Sequence, residues 1–305
     1  MVSGAGQGAA QWGLLVNEQP VRLDRSRRTH LGLLRNERKG RPYERYFRWE
    51  MDALPDHVEE ALRRGEAKSE EVLPRAQANR LLEPGYLPLE TGYATLPDGS
   101  VHVAVLTRFP EASGEMLDWW FAWHGLETER YKLWHPQAHL FCQMRYERGT
   151  LPGLTHRQKY VGNTAYVDEY IGKQINRLTI AFREPRDLGL DEQAFKEAGV
   201  GTAICARVGF SDRPVDSGHL IHLIRETAEG CEMRSRFWIG EAHVRALPEG
   251  NPIDRLLEKR FVRQRMIPRG LGRDLLIHCA EEMNHLASFL PRLFAQETER
   301  ASLAL

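Results

Sequence analysis

Hydrophobic and polar positions change rhythm along this chain. Between residues 51 and 82, MDALPDHVEEALRRGEA and SEEVLPRAQANRLL mix Leu, Ala, Glu and Arg without alternation. That predicts helix up to the Pro84-Gly85 stop. After Asp98-Gly99, VHVAVLTRF alternates with a period of two and predicts a strand behind a turn. MLDWWFAWHGLETERYKLW predicts an aromatic-rich helix. HLFCQMRYE, RLTIAFREP, GTAICARVGF, HLIHLIRET and CEMRSRFWIG then read as strands, with turn signals at Glu184-Pro185 and Glu229-Gly230. A last helix is predicted from about Leu271 to Phe294. Strands followed by a closing helix describe an α+β fold with a mostly antiparallel sheet, not alternating βαβ units. Residues 1–50 are arginine-rich and poorly periodic, an irregular arm or lead-in, and no internal repeat is visible.

The last helix carries the first chemical lead. At about 100° per residue, Leu276, Ala280, Met283, Ala287 and Leu290 form one stripe, widened by Leu275, Cys279, Leu286 and Leu293. Asp274, Glu281, Asn284 and Ser288 fall opposite. His278 and Glu282 lie on the margin of the apolar arc, one turn apart, where they can share a cation or simply hydrogen-bond each other. Glu281 falls on the wetter face, and His285 is a spare candidate.

Upstream, WHPQAH supplies His135 and His139. His139 opens a strand on which Phe141 and Gln143 are expected to share its face. In AYVDEYIG, Glu169 stands between Val167 and Ile171 on one strand face, an unusual place for a carboxylate without a partner. His139, Glu169, His278 and Glu282 would together offer two imidazoles and two carboxylates, a donor set that suits zinc better than manganese or iron(II). Each also has a plain structural explanation: a core histidine bonded to backbone, a Glu169 pair with Arg177 or Lys173, a His278–Glu282 hydrogen bond.

Charge and composition narrow the class. Lys plus Arg equals Asp plus Glu at 42 each, which argues against nucleic acid or an anionic membrane as partner. No apolar run approaches the roughly 20 residues of a membrane span. The Gly- and Ala-rich start lacks the basic region of a secretion signal, and Cys142, Cys205, Cys231 and Cys279 form no CxxC pair, so a cytoplasmic protein with reduced thiols is expected. The arginines of RSRF are expected on an exposed, solvated strand face, and at least half the tryptophan cluster is expected to be packing.

WWFAWHGLETERYKLWHPQAH, YVDEYIG, GCEMRSRFWIG and HCAEEMNHL, in this order and spacing, resemble the 2,4-diacetylphloroglucinol hydrolase and phloretin hydrolase family over most of residues 90–290. The resemblance implies a START-like helix-grip domain over residues 91–305: a curved antiparallel sheet around a long C-terminal helix. It implies a small helical region within residues 1–90 that assists homodimerisation. It implies a zinc-dependent hydrolase that cleaves the carbon–carbon bond between an acyl group and a phloroglucinol-type ring, acting on a small acylated polyphenol. The family's metal ligands fall on His139, Glu169, His278 and Glu282, with His135 competing for the first place. Tyr131 matches the tyrosine that holds a ring hydroxyl. His222, with His219 second, matches the acid–base histidine, and Glu169 is expected to share that work. Two rivals use the same fold: a non-enzymatic carrier of a hydrophobic ligand, and a metal-free polyketide cyclase or aromatase.

Overall fold

A computed structural model describes residues 19–24 and 30–303 of the chain. The start of the chain and Arg25–Thr29 of the basic arm lie outside the described residues. Eight strands form one antiparallel sheet: β1 (Gly92–Thr95), β2 (Val101–Pro110), β3 (His139–Met144), β4 (Thr164–Ile171), β5 (Gln174–Arg183), β6 (Val200–Phe210), β7 (Val215–Thr227) and β8 (Gly230–Val244). Their order across the sheet is β1-β2-β8-β7-β6-β5-β4-β3. The sheet is therefore a meander from β3 to β8, with the first hairpin added at the far edge.

The helices are α1 (Asp56–Arg64), α2 (Gly114–Trp123), α3 (Thr128–Trp134), α4 (Leu271–Ala287) and α5 (Leu290–Leu303). Further short helices cover Arg35–Arg38, His156–Tyr160, Pro252–Leu257 and Arg260–Met266. Helix α4 touches β1 and β2 near one edge of the sheet and β4 near the other. A sheet whose two edges both reach one helix is curled around it, and this is the helix-grip arrangement of an α+β fold.

The apolar stripe of α4 explains that grip. Leu276, Cys279, Met283 and Leu286 are fully buried, against Val103 and Val105 of β2 in the same core. Each such side chain contributes roughly 1.5–3 kcal/mol through area removed from water. Gly172, in the β4–β5 turn, has φ +62°, and any Cβ there would collide with the Asp274 carboxylate on α4. Glycine thus serves both the turn and the close helix approach.

Several expectations are corrected. The closing helix is two: α4 ends at Ala287 and α5 begins at Leu290, because Pro291 has no N–H for the Ala287 carbonyl and restricts the residue before it. Only Asp56–Arg64 is α-helical within residues 51–82; Arg75–Leu82 is 3₁₀ with a kink at Gln77. Side chains take its flanking carbonyls: Trp238 Nε1 donates to Leu73 O (2.8 Å) and Arg234 Nη1 to Leu81 O (2.7 Å). This segment packs Leu73, Ala78 and Leu81 on the outer sheet face, against Ile221, Leu223 and Trp238. The RSRF arginines are accordingly not solvated. Arg234 and Arg236 are fully buried under that cover and both pair with Glu90, at 2.5 and 2.7 Å.

From Tyr43 onward the lead-in joins the main core, where Tyr43 packs edge-on against Trp123 and Tyr46 lies against Phe289. No described helix is long and apolar enough to cross a membrane. All four cysteines are free and buried.

Candidate active site

His139 and Glu169 are direct cross-strand partners of β3 and β4. A bulge follows at once, so that Phe141 pairs with Asp168 and Cys142 with Val167. Phe141 and Gln143 therefore leave the face of His139, correcting the simple alternation, and Cys142 and Met144 take it. His278 and Glu282 approach the pair from α4, both buried.

The four groups converge. His139 Nε2 lies 3.7 Å from Glu169 Oε2 and 3.5 Å from Glu282 Oε2. His278 Nε2 lies 3.9 Å from Glu169 Oε1 and 3.8 Å from Glu282 Oε2. These separations are too long for hydrogen bonds. Two donors placed tetrahedrally around one ion, each at roughly 2.05 Å, stand about 3.4 Å apart. The spacing fits donors arranged around a common centre better than donors bonded to each other.

Tautomer and charge point the same way. His139 Nδ1 bonds the Tyr131 carbonyl at 2.8 Å, which fixes its proton there and leaves a lone pair on Nε2. Nε2 is buried, has no hydrogen-bond partner, and faces two carboxylates. A lone pair aimed at carboxylates is repulsive unless a cation sits between them. His278 lies beside the Tyr170 backbone. Burial holds both histidines well below the usual imidazole range. It raises Glu169 to about 7, and Glu282, which also feels the Glu169 charge, well above the carboxylate range. His139, Glu169 and His278 form a buried group able to hold a metal ion, with the Glu282 oxygen beside it. The donor set fits a divalent cation that accepts nitrogen and oxygen.

Tyr131 stacks on His139 with ring centroids 3.7 Å apart and planes within 1°, and its hydroxyl donates to Glu169 Oε2. Burial and the Glu169 charge push that phenol well above its ordinary range, so it stays protonated. Glu169, Tyr131, His278 and Glu282 line a cavity of about 730 Å³, within the range of small-ligand sites. Phe121, Trp134, Phe182 and Phe237 supply much of its wall. Trp119, Trp120 and Trp123 do not reach it; they stack on one another behind.

The remaining candidates separate by position. His222 lies on the inner face of β7 and lines the cavity, with Nδ1 2.7 Å from Ser235 Oγ. Burial lowers it to about 3, so it is neutral at pH 7. His219, three residues earlier, takes the other face, against Arg207 and Glu241. His135 stacks on His278 but turns Nε2 to Glu281, 3.3 Å away, outside the donor set. His285 is also outside it, 3.4 Å from Asp52 on the far side of α4. Two features of the cavity have no signal in the sequence pattern: His124, inside the aromatic cluster, and the segment Leu257–Pro268, whose residues form part of the rim.

The family model for the DAPG hydrolase PhiG domain matches residues 73–295. A 2,4-diacetylphloroglucinol hydrolase from Pseudomonas protegens is 34% identical over 272 residues, 86% of this chain and 87% of that protein. A phloretin hydrolase from Eubacterium ramulus is 30% identical over 274 residues, 86% of this chain and 93% of that one. Among solved structures, a Thalictrum flavum norcoclaurine synthase point mutant matches with a TM-score of 0.33 and 14% identity, over 62% of this chain and 92% of that one. With a family model spanning most of its length and relatives of 30% and 34% identity along nearly all of theirs, the chain belongs to the DAPG hydrolase family.

Proposed function

We propose that this enzyme is a zinc-dependent hydrolase that cleaves the carbon–carbon bond between an acyl group and a phloroglucinol-type ring, releasing a carboxylic acid. One observation carries the reading: the unpartnered Nε2 of His139, faced by two buried carboxylates in the floor of an aromatic cavity. The names of the relatives, a diacetylphloroglucinol hydrolase and a phloretin hydrolase, support the substrate class. A carrier would gain nothing from burying two carboxylates against its ligand, and the cost of doing so disfavours that rival.

The chemistry must stabilise a departing aryl carbanion. A ring hydroxyl gives up its proton as the acyl-bearing ring carbon gains one, which gives the keto tautomer, a β-diketone. Water adds to the acyl carbonyl, the carbon–carbon bond breaks, and its electron pair returns to the ring as an enolate that regains aromaticity. Zinc held by His139, Glu169, His278 and Glu282 would supply Lewis-acid polarisation of a substrate oxygen. Tyr131, kept protonated, orients a ring oxygen through its hydroxyl. Glu169, which lines the cavity, takes a proton from the attacking water. His222, neutral and facing the cavity, moves the proton at the ring carbon. The aromatic walls hold a flat ring and exclude bulk water.

The test is incubation of purified protein with a panel of acylphloroglucinols, with and without chelator. Zinc-dependent release of carboxylic acid is expected; no release from any acylphloroglucinol refutes the proposal. We also propose that residues 1–90 assist homodimerisation, a reading supported by the exposed Leu34 and Trp49 in that region. Light scattering tests it, and a monomer at micromolar concentration overturns it.

A further inference from the structure

His124 takes no part in the donor set or in the proton transfers above, yet it lines the same cavity. It follows the last turn of α2, and its Nδ1 lies 2.8 Å from the Trp120 carbonyl. That bond places the proton on Nδ1 and leaves Nε2 as an acceptor. Among the described residues no hydrogen bond reaches Nε2. The residue is only 4% exposed, and burial lowers it to about 4, so the ring is neutral under ordinary conditions. Nε2 is therefore an oriented acceptor that no protein donor meets, on a side chain that lines the cavity, where a ligand O–H can take the place of water.

The surroundings say what kind of donor that is. His124 lies against Tyr131 (centroids 6.0 Å, interplanar 26°), Phe121 (5.4 Å, edge-on) and Trp134 (5.0 Å), all of which line the cavity. Phe121 also contacts His222, at 6.0 Å. Tyr131, His222 and His124 are thus three polar side chains grouped around one aromatic wall. A flat ring seated there meets hydroxyl-reading groups on more than one side. Tyr131 gives its one proton to Glu169 and so meets the ligand as an acceptor; His124 also offers only an acceptor, and each requires an O–H from the ligand.

We infer that His124 reads a hydroxyl of the substrate ring through Nε2 and selects rings bearing three hydroxyls over rings bearing two. The inference rests on the proposed function, since it takes the ligand to be a polyhydroxylated aromatic. Its role is specificity in binding rather than the bond-breaking step.

Calorimetric titration of the zinc-loaded protein with phloroglucinol and with resorcinol tests this without turnover. The wild type should bind phloroglucinol roughly 3- to 10-fold more tightly than resorcinol, the range for one hydrogen bond exchanged with water. His124→Phe keeps the stacking and removes the acceptor; its preference should fall to near one. His124→Gln, which returns an acceptor oxygen near Nε2, should recover most of it. A purely packing role predicts equal loss for both ligands, and an unchanged preference in His124→Phe overturns the inference. Should that variant not fold, nitrogen-15 NMR of the wild-type histidines gives the answer. The His124 Nε2 resonance should move upfield when phloroglucinol binds, and a stationary resonance overturns the assignment. Wild-type cleavage of acylphloroglucinol, measured in parallel, separates the two failures. Cleavage with an unchanged preference sinks only His124, whereas no cleavage and no ring binding sinks the proposed function and this inference together.

Discussion

Replacing Glu169 by Gln should stabilise the metal-free protein while weakening the metal-loaded one. Glu169 is 8% exposed and raised by burial from 4.5 to about 7. A carboxyl whose folded value exceeds its unfolded value favours folding below about pH 4.5. That advantage fades between about pH 4.5 and 7 and is gone above the folded value. The shift corresponds to roughly 3 kcal/mol of lost stability above pH 7. Gln mimics the protonated acid, so Glu169→Gln should regain much of this at pH 8 and gain nothing at pH 4. For a chain of this size that is a rise in melting temperature on the order of 5 °C at pH 8. Zinc reverses the sign. Saturation at about 1,000 times Kd stabilises the wild type by about 4 kcal/mol, and a variant short of one charged donor gains less. Scanning calorimetry with chelator and with zinc, at pH 4 and pH 8, measures all four cases. A chelated variant that melts no higher than the wild type at pH 8 refutes the claim that these carboxylates are strained without a cation.

The other expectations separate the residues by role. Glu282→Ala should strip zinc, whereas Glu169→Gln should retain a measurable share of it and lose turnover; equal metal loss by elemental analysis refutes that division. His222→Ala should lower kcat by roughly 10²–10⁴-fold with metal content unchanged. His219→Ala should leave kcat per folded molecule near wild type, and the opposite ranking in steady-state assays would exchange their roles. Glu90→Ala leaves Arg234 and Arg236 buried without their carboxylate, and urea denaturation should show a loss of roughly 3–5 kcal/mol.

The fold was legible where burial is one-sided and periodic. The α4 stripe could be read because Leu276, Ala280 and Met283 recur at helical spacing while Asn284 and Ser288 face away. The break after Ala287 follows from Pro291, a local signal that the long stripe overshadowed. Arg234 and Arg236 were misread because their cover comes from Leu81, Leu89 and Glu90, far off in the chain. Nothing in RSRF itself says that a 3₁₀ segment will lie on it. Residues 75–82 also answer to the sheet: the carbonyls of Leu73 and Leu81, at the two ends of the segment, are met by Trp238 and Arg234.

The site divides along the same line. Glu169 stood out because Val167 and Ile171 share its face, a purely local pattern. That His139 meets it could not be counted from residues, since the bulge after His139 reverses the alternation that follows. His219 and His222, three apart on a strand, must face opposite ways. Yet β7 carries leucine and isoleucine on both faces, Leu220 and Ile224 within, Ile221 and Leu223 without, so hydrophobicity does not say which side holds the cavity. His124 was hidden for a related reason. Every neighbour in WWFAWHGL is apolar or aromatic, and the same string describes a histidine satisfied in a core. Only its Nδ1 bond to Trp120 and its place on the cavity wall make the other nitrogen available to a ligand. Chemistry in this fold is thus set by which lone pairs the tertiary structure leaves unanswered, at His139 for a cation and at His124 for a hydroxyl.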